Sequence, residues 1–338
     1  MSSFFLFLHF FISCFFSSLA LSLSQLTYIV LWYGGNTMYN IYNKKASNAI
    51  HAHWFLACSQ LGFGIVISLF LWATGIRKTP NLSSADITSC VPIGACAAGA
   101  HGGSVLAMGA GAVSFTQIVK ACEPVFAAVI GLIVPPVDFK PPLAYAMLLV
   151  ICGGVGLACV KQGAGIEINV VAFQWASVAN VCAAFKGKWG HSVTGALKAD
   201  KSKNMDAANV YAVMNALSFM WTVPLVVYSE LPTLGAEWEK AVAAVGAQDL
   251  IFNLLMSGFF FYFYNEMAFA FTSQVGAVTS SVLNTAKRVI IIVVSAIIFN
   301  EGLSQNKMIG SAIAIAGTFL YSIFSKPAAK KEVKDKKA

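Results

Sequence analysis

The sequence predicts an all-α, polytopic membrane protein with about ten transmembrane helices. Of its 338 residues, 58% are hydrophobic and 11% are charged, and the mean hydropathy is +0.72. A soluble domain carries about 25% charged residues, so the composition excludes an ordinary soluble fold. One membrane crossing needs roughly 20 apolar residues, and the chain from Gln25 onward offers ten such segments.

The predicted spans occupy residues 25–325 and leave no room for a separate soluble domain. Their breaks carry helix-ending or charged residues, and the longest polar stretch runs from Lys198 to Asp206. The spans lie near 26–43, 53–74, 87–109, 112–133, 142–160, 170–187, 208–228, 250–271, 276–299 and 306–324. We therefore expect one ten-helix domain over residues 25–325.

Both ends of the chain lie outside this domain. Residues 1–24 form an apolar run with no basic residue at its start. They are predicted to be a hydrophobic leader or targeting segment, with an eleventh helix or a misassigned start as alternatives. Residues 326–338 are rich in lysine and are predicted to form a basic, solvent-exposed tail. The loops on the side of this tail hold more Lys and Arg than the opposite loops, which places that side toward the cytosol or its organellar equivalent.

The cysteines and the net charge exclude other classes of function. The eight cysteines lie almost entirely in apolar segments without metal-ligand spacing, so neither a disulfide nor a zinc site is indicated. The net charge of +8 comes largely from span ends and the tail, where it sets orientation in the lipid bilayer. We expect no nucleic-acid binding from so apolar a chain.

Two segments indicate an internal repeat. Gly-Ala-Val-Ser at 111–114 opens the fourth span, and Gly-Ala-Val-Thr at 276–279 opens the ninth, 165 residues later. Each half would contain five spans, and an odd number of spans inserts the two halves with opposite orientations. Transporters often build a binding site at the midplane of such an inverted repeat. A chance similarity between small-residue helices is the alternative.

Five charged residues lie well inside predicted spans, away from their ends, where each costs about 2.5–3.5 kcal/mol. They are Lys120 and Glu123 on the fourth span, Glu266 on the eighth, and Lys287 with Arg288 on the ninth. Lys120 and Glu123 are three residues apart and could neutralise each other. Two carboxylates nevertheless face three cations, so at least one positive charge remains. An anionic substrate is its natural partner.

The types of cation favour phosphate as that anion. Lys287 and Arg288 are separated by about 100° around the helix, so they can flank one site from two sides. Arginine offers a planar fork and lysine a mobile point charge. If the repeat is real, Lys120 approaches the same cavity from the other half. Three cations around one pocket predict a phosphate site, with a carboxylate site as the alternative.

Neutral side chains near these cations are candidate substrate contacts. His101 and Ser104 share one face of the third span, and Tyr264 lies on the eighth. All three can donate hydrogen bonds to substrate oxygens, although packing is the alternative role for each. Pro124 predicts a kink in the fourth span. The chain shows no nucleophile elbow, phosphate-binding glycine loop or metal-ligand cluster, so we expect neither an enzyme nor a bound cofactor or metal.

Several motifs resemble those of the plastidic phosphate translocators, a family within the drug/metabolite transporter superfamily. The first is Val-Ser-Phe-Thr at 113–116, followed by Ile-Val-Lys-Ala-Cys-Glu-Pro at 118–124. Lys-Arg-Val-Ile-Ile at 287–291, Asn-Lys-Lys at 43–45 and Phe-Tyr-Asn at 263–265 are also similar. The resemblance covers about residues 26–325 and keeps the motifs in order.

This resemblance implies ten helices in two inverted five-helix halves and an obligatory exchange of inorganic phosphate for a phosphorylated metabolite. It implies that Lys120, Lys287 and Arg288 hold the phosphoryl group. His101, Ser104 and Tyr264 would read the rest of the substrate.

The stretch 204–212 resembles triose-phosphate and phosphoenolpyruvate carriers more than hexose-phosphate carriers. The resemblance therefore implies a three-carbon substrate, namely triose phosphate or 3-phosphoglycerate, with phosphoenolpyruvate as a further candidate. The implied location is the plastid envelope or a membrane surrounding a complex plastid. Lys186 stands where relatives usually have arginine, which leaves the organic end of the substrate open. The alternatives are a nucleotide-sugar or other sugar-phosphate transporter of the same superfamily in a Golgi or ER membrane, and then a membrane enzyme or channel.

Overall fold

The computed structural model describes residues 22–161, 165–166, 168–301 and 304–325. The leader predicted for residues 1–24 lies outside this part except for its last three residues. The tail at 326–338 lies wholly outside it.

Within the described residues the chain is almost entirely helical. Two short strands, β1 (Val160–Lys161) and β2 (Gly165–Ile166), pair in an antiparallel hairpin, and a 3-10 turn covers Lys201–Lys203. The helices are α1 (Leu23–Ala49), α2 (His53–Ala73), α3 (Ser84–Ala110), α4 (Val113–Lys120), α5 (Glu123–Ile133), α6 (Pro142–Ala158), α7 (Val170–Ala199), α8 (Ala207–Ser229), α9 (Leu231–Val245), α10 (Ala247–Ile298) and α11 (Gln305–Phe324). The predicted all-α class is confirmed.

Five segments of the described chain are long and apolar enough to cross a membrane: α2, α3, α4 with α5, α8 and α11. A sixth follows if α9 and the start of α10, which meet at an angle of 108°, count as one bent span. Helices α1 and α7 are also long, with 27 and 30 residues. They are more polar because they carry side chains such as Asn40 and Lys186 that line an internal cavity. The chain is an integral membrane protein.

Helix α10 supplies two of the predicted spans. Lys287 Nζ lies 5.5 Å from the ring centroid of Tyr264, although 23 positions separate them in the sequence. A straight helix would separate two such residues by about 35 Å. The helical run therefore turns back on itself, giving a first arm at 247–275 and an antiparallel second arm that ends at Ile298.

The fourth span is broken, whereas the sequence predicted one helix over 112–133. Helix α4 ends at Lys120 and α5 begins at Glu123, because Pro124 has no amide hydrogen and cannot continue the ladder. Carbonyls near the break find other donors. Asn180 Nδ2 donates to the carbonyl of Val119 at 3.0 Å, and Thr318 Oγ1 donates to that of Ala121 at 3.3 Å. Two helices of the second half, α7 and α11, therefore hold the break in place.

Two further helical features differ from the prediction. Helix α7 continues to Ala199, beyond the predicted end at residue 187, so Lys198 is helical rather than part of a loop. Helix α9 was not predicted, because its acidic and basic residues interrupt the apolar run. It buries Ala241 and packs Trp238 against Ile50 and Leu250.

The contacts between helices indicate two related halves, α1–α6 and α7–α11. Helix α3, the third span of the first half, packs along α7, the first span of the second. The reciprocal contact joins α1 to the first arm of α10, which is the third span of the second half. Helix α2 packs on α8, and α6 on α11, so equivalent spans also meet each other. Exchanging the halves preserves this set of contacts, as an inverted repeat requires.

The α6–α11 contact shows the same symmetry at the level of residues. A Cβ atom added to Gly154 would lie 2.5 Å from the amide nitrogen of Ala314. One added to Gly310 would lie 2.5 Å from that of Ala158. Both helices thus use a Gly-x-x-x-Ala motif, which lets transmembrane backbones approach closely. The glycine of each motif packs on the alanine of the other, so the two motifs run antiparallel.

Candidate functional site

A cavity of about 570 Å³ lies between the two halves. It is lined by residues from α1 to α5, α7, α8 and both arms of α10. All six residues predicted to contact substrate line it, namely His101, Ser104, Lys120, Tyr264, Lys287 and Arg288. The structure thus brings them together, and their part in binding stays a prediction.

Lys120 reaches the cavity because the fourth span breaks directly after it. As the last residue of α4 it lies at the carboxyl end of a helix, where a cation is favoured. Its Nζ donates to Ser104 Oγ at 2.7 Å, and Ser104 Oγ donates to the carbonyl of Ala100 at 2.6 Å. Lys120 and Ser104 therefore form one hydrogen-bonded unit in the cavity wall.

Glu123 pairs with Arg288, with 2.8 Å between a guanidinium nitrogen and a carboxylate oxygen. The expected pairing of Glu123 with Lys120 is wrong, because the break at Pro124 turns Glu123 toward the second arm of α10. The paired residues are 165 positions apart, the same interval as between the two Gly-Ala-Val segments. Equivalent positions of the repeat therefore face each other across the cavity.

Lys287 points toward a different wall from its neighbour Arg288. Its Nζ lies 5.1 Å from the ring centroid of Trp32 and 5.5 Å from that of Tyr264, within the range of cation–π attraction. Arg288 instead reaches Glu123 on α5. Adjacent cations thus approach the cavity from two directions, as the helical spacing predicted.

Glu266 does not belong to the cavity, which corrects the charge balance derived from the sequence. It forms an ion pair with Arg77, and Arg77 also donates to Tyr262 Oη at 3.1 Å. Glu123 is then the carboxylate that faces the three central cations, which leaves a net charge of +2. Lys186 and Lys198 also line the cavity and raise the excess to +4.

His101 lies in an aromatic wall, with its ring centroid 4.0 Å from that of Phe261 and 6.5 Å from that of Tyr39. It hydrogen-bonds to the backbone of Ala57. Its Nε2 atom is buried without a hydrogen-bond partner in the described part of the chain. Nε2 can donate or accept a hydrogen bond, depending on which ring nitrogen carries the proton.

One end of the cavity is closed by contacts that link α1 and the end of α10 to the α3–α4 connection. Lys44 Nζ donates to the carbonyls of Met108 at 2.7 Å and Gly111 at 2.9 Å. The carboxylate of Glu301 accepts from the first two amides of α4 at 2.8 and 3.0 Å. We call this end the closed face. The sequence carried no signal for the role of Glu301.

The other end of the cavity follows α7 outward to Lys198, and we call it the open face. The lining positions on α7, from Ala183 to Lys198, recur every three or four residues along one side of the helix. Lys186, His191 and Thr194 precede Lys198 on this side. Within the described residues, the central cations are therefore reached from the open face.

Comparisons with known proteins agree with this architecture. A family model described as the Triose-phosphate Transporter family matches residues 23–322. Glucose-6-phosphate/phosphate translocator 1, chloroplastic, of Arabidopsis thaliana is 31% identical over 296 residues, which cover 87% of this chain and 74% of its own. The chloroplastic triose phosphate/phosphate translocator of Solanum tuberosum is 30% identical over 313 residues, which cover 92% of this chain and 72% of its own.

A solved crystal structure shares the fold, with a TM-score of 0.50 at 13% identity over 89% of this chain and 96% of its own. Membership of a transporter family also agrees with the expectation that the chain is not an enzyme. Because the family match spans nearly all of the helical region, the protein belongs to the triose-phosphate transporter family.

Proposed function

We propose that the protein exchanges inorganic phosphate for phosphorylated three-carbon metabolites by alternating access, in the plastid envelope or a membrane surrounding a complex plastid. The observation that carries this proposal is the net charge of +2 from Lys120, Lys287, Arg288 and Glu123 in one cavity. A phosphate monoester carries close to two negative charges at neutral pH. The chloroplastic relatives support both the exchange and the location.

The organic end of the substrate is proposed from Lys186 and His101. Lys186 lies close enough to Lys120 and Glu123 to interact with both electrostatically. It supplies a further positive charge for a carboxylate. The buried Nε2 atom of His101 has no hydrogen-bond partner within the described residues, and a substrate hydroxyl, which an enol phosphate lacks, would supply one. A phosphorylated hydroxy acid such as 3-phosphoglycerate satisfies both groups, so we place it ahead of triose phosphate and of phosphoenolpyruvate.

A nucleotide-sugar substrate is less well supported by the aromatic wall. A base needs an open ring face on which to stack. Tyr39 packs against Phe261 and Tyr264, each with 5.4 Å between ring centroids, and is 4% exposed. These rings cover one another and leave little free face.

Strict exchange follows from the same charges. In the empty cavity Lys120, Lys287 and Arg288 repel one another, and closing both faces over them would bury uncompensated cations. A doubly charged phosphate ester offsets most of this cost. The loaded carrier can therefore close and reopen on the other side, whereas the empty carrier returns slowly.

The test is uptake of radiolabelled phosphate into proteoliposomes loaded with phosphate, 3-phosphoglycerate, glucose 6-phosphate, a nucleotide sugar or gluconate. We expect sustained uptake with phosphate and 3-phosphoglycerate and little with gluconate. Equal uptake with gluconate would indicate a uniporter or channel. Equal or faster uptake with glucose 6-phosphate would reject the three-carbon assignment.

A pair of variants on α7 tests the organic end. Lys186→Gln should slow phosphate/3-phosphoglycerate exchange more than phosphate/phosphate exchange, because it removes the charge proposed for the carboxylate. The control is Lys188→Gln, since Lys188 donates to the carbonyl of Pro136 and does not line the cavity. Equal losses in both exchange modes would reject this role for Lys186.

A further inference from the structure

A second cavity, of about 640 Å³, lies at the mouth of the first on the open face. We call it the outer cavity. It lies between the α2–α3 connection and the α7–α8 connection, and its charged lining is Arg77, Lys78, Lys198, Asp200, Lys201 and Asp206. Lys198 lines both cavities. The two spaces therefore share a wall at this residue.

The two connections that frame the outer cavity are bound to each other. Asn209 Nδ2 donates to the carbonyls of Lys78 at 2.8 Å and Asn204 at 2.6 Å. Lys203 forms an ion pair with Asp86 at 2.7 Å. Polar groups of both connections thus fix the backbone from which the basic side chains extend, so the cavity has a defined frame.

The acids of the outer cavity are already engaged with their own loop. The carboxylate of Asp200 accepts from the amide and the hydroxyl of Ser202, at 3.0 and 2.6 Å. These bonds hold the pKa of Asp200 below its usual range. Asp206 accepts from the amide of Asn209 at 2.7 Å as the N-cap of α8. Neither acid is bound to a lysine of the cavity.

The basic side chains of the outer cavity form fewer ion pairs and hydrogen bonds than its acidic side chains. Arg77 is paired with Glu266. Across the described ranges, the side chains of Lys78, Lys198 and Lys201 have neither an ion pair nor a hydrogen bond. Four cations against two carboxylates leave the lining positive, with three ammonium groups free to bind an anion.

The outer cavity leads directly to the central cations. Lys198 and Lys186 are 12 residues apart on α7, a distance of about 18 Å along the helix axis. His191 and Thr194 line the wall between them. An anion leaving Lys198 therefore moves along a polar face toward Lys186 and Lys120.

We propose that the outer cavity is a second, weaker anion-binding site, which takes up phosphate and phosphate monoesters from solution on the open face and passes them along α7. Fixed cations in a cleft raise the local concentration of anions and their rate of association. The identity of the cargo rests on the proposed function, whereas the binding of a phosphate dianion rests on the lysines themselves.

The experiment compares two double variants that each remove two positive charges from the open face. Lys78→Gln with Lys201→Gln changes residues that line the outer cavity only. Lys140→Gln with Lys188→Gln is the matched control, because neither residue lines either cavity. In proteoliposomes with the open face outside, we expect the first pair to raise the KM for external phosphate by about three- to tenfold with little change in kcat. It should also make the rate of phosphate uptake less sensitive to salt concentration.

The control pair should leave the KM for phosphate within twofold of the unmodified value. Equal increases in both pairs, or an increase in neither, would overturn the proposal. A binding measurement that needs no transport accompanies it. In the Lys287→Ala background, which disables the central site, ³¹P NMR titration should still detect weak binding of inorganic phosphate.

Adding Lys78→Gln and Lys201→Gln to that background should abolish the residual binding. Its persistence would reject the outer site even if exchange behaves as expected. If the unmodified protein does not exchange phosphate at all, the proposed function fails, and the titration still decides the outer cavity.

Discussion

Replacing Glu123 with glutamine probes the charge balance of the cavity most directly. The substitution keeps the shape of the side chain but removes the charge that pairs with Arg288 at 2.8 Å. Arg288 is 6% exposed, and leaving a buried cation unpaired costs about 3–5 kcal/mol. The Glu123 side chain is 35% exposed to the cavity, so we expect the lower end of this range. Without phosphate, Glu123→Gln should unfold several degrees below the unmodified protein.

Phosphate should reverse much of this loss, because it can replace the missing carboxylate. At an effective dielectric of about 20, a unit charge 6 Å away contributes roughly 3 kcal/mol. Part of that gain is offset, since Arg288 loses the partner that orients it. We therefore expect phosphate to bind about tenfold more tightly to Glu123→Gln and to be released more slowly, so that exchange falls while affinity rises.

The assay is thermal unfolding of the purified protein across a phosphate titration, with phosphate/phosphate exchange measured in parallel. Glu266→Gln is the matched control, because it also removes the carboxylate of an Arg–Glu pair but lies outside the cavity. Phosphate should not restore the stability of that variant beyond its effect on the unmodified protein. Equal phosphate responses in both variants, or an unchanged melting temperature for Glu123→Gln, would refute the reasoning.

Three further predictions concern the cations, the helix contact and the closed face. Lys287→Ala should lower exchange by at least tenfold, since it removes a charge-assisted contact of about 1.5–3 kcal/mol; near-normal phosphate uptake would assign Lys287 to packing. Gly154→Leu should prevent the α6–α11 contact and reduce the yield of folded protein, whereas Gly153→Leu, whose Cβ meets open space, should not. Glu301→Gln removes the charge that caps α4, worth about 1 kcal/mol, and should raise labelling of Ser114→Cys from the closed face several-fold. Unchanged labelling would show that Glu301 does not help to close this face.

The central cations could be found from the sequence because charge inside apolar spans is conspicuous. The residues that pair with them could not be identified from the sequence. Arg77 and Glu266 are 189 positions apart, and helical spacing carries no information about a contact between distant segments. The pairing of Glu123 was also misread, because the spacing to Lys120 assumed one continuous helix. Pro124 was recognised as a kink, but its effect on the direction of the next side chain depends on the packing of both halves.

The predicted helix boundaries were accurate for some helices and wrong for others, depending on what each helix contacts. Spans that face lipid are uniformly apolar, so α2, α6 and α11 were placed to within a few residues. Helix α7 was cut short because its last turns carry Lys198 on a face that lines the cavity. Helix α9 was missed because its charged residues leave no long apolar run. Local hydropathy identifies the helices that contact lipid. It is less informative for α7 and α9, because contacts within the protein stabilise them.

The ion pair between Glu123 and Arg288 constrains the order of events in the history of the protein. Two identical halves related by an axis would place the same residue at both positions, so that two carboxylates or two guanidinium groups would face each other. An anion opposite a cation at equivalent positions requires two copies that differ in sequence. Two separate copies therefore had to exist before this pairing, and at least one of them changed at this position afterwards.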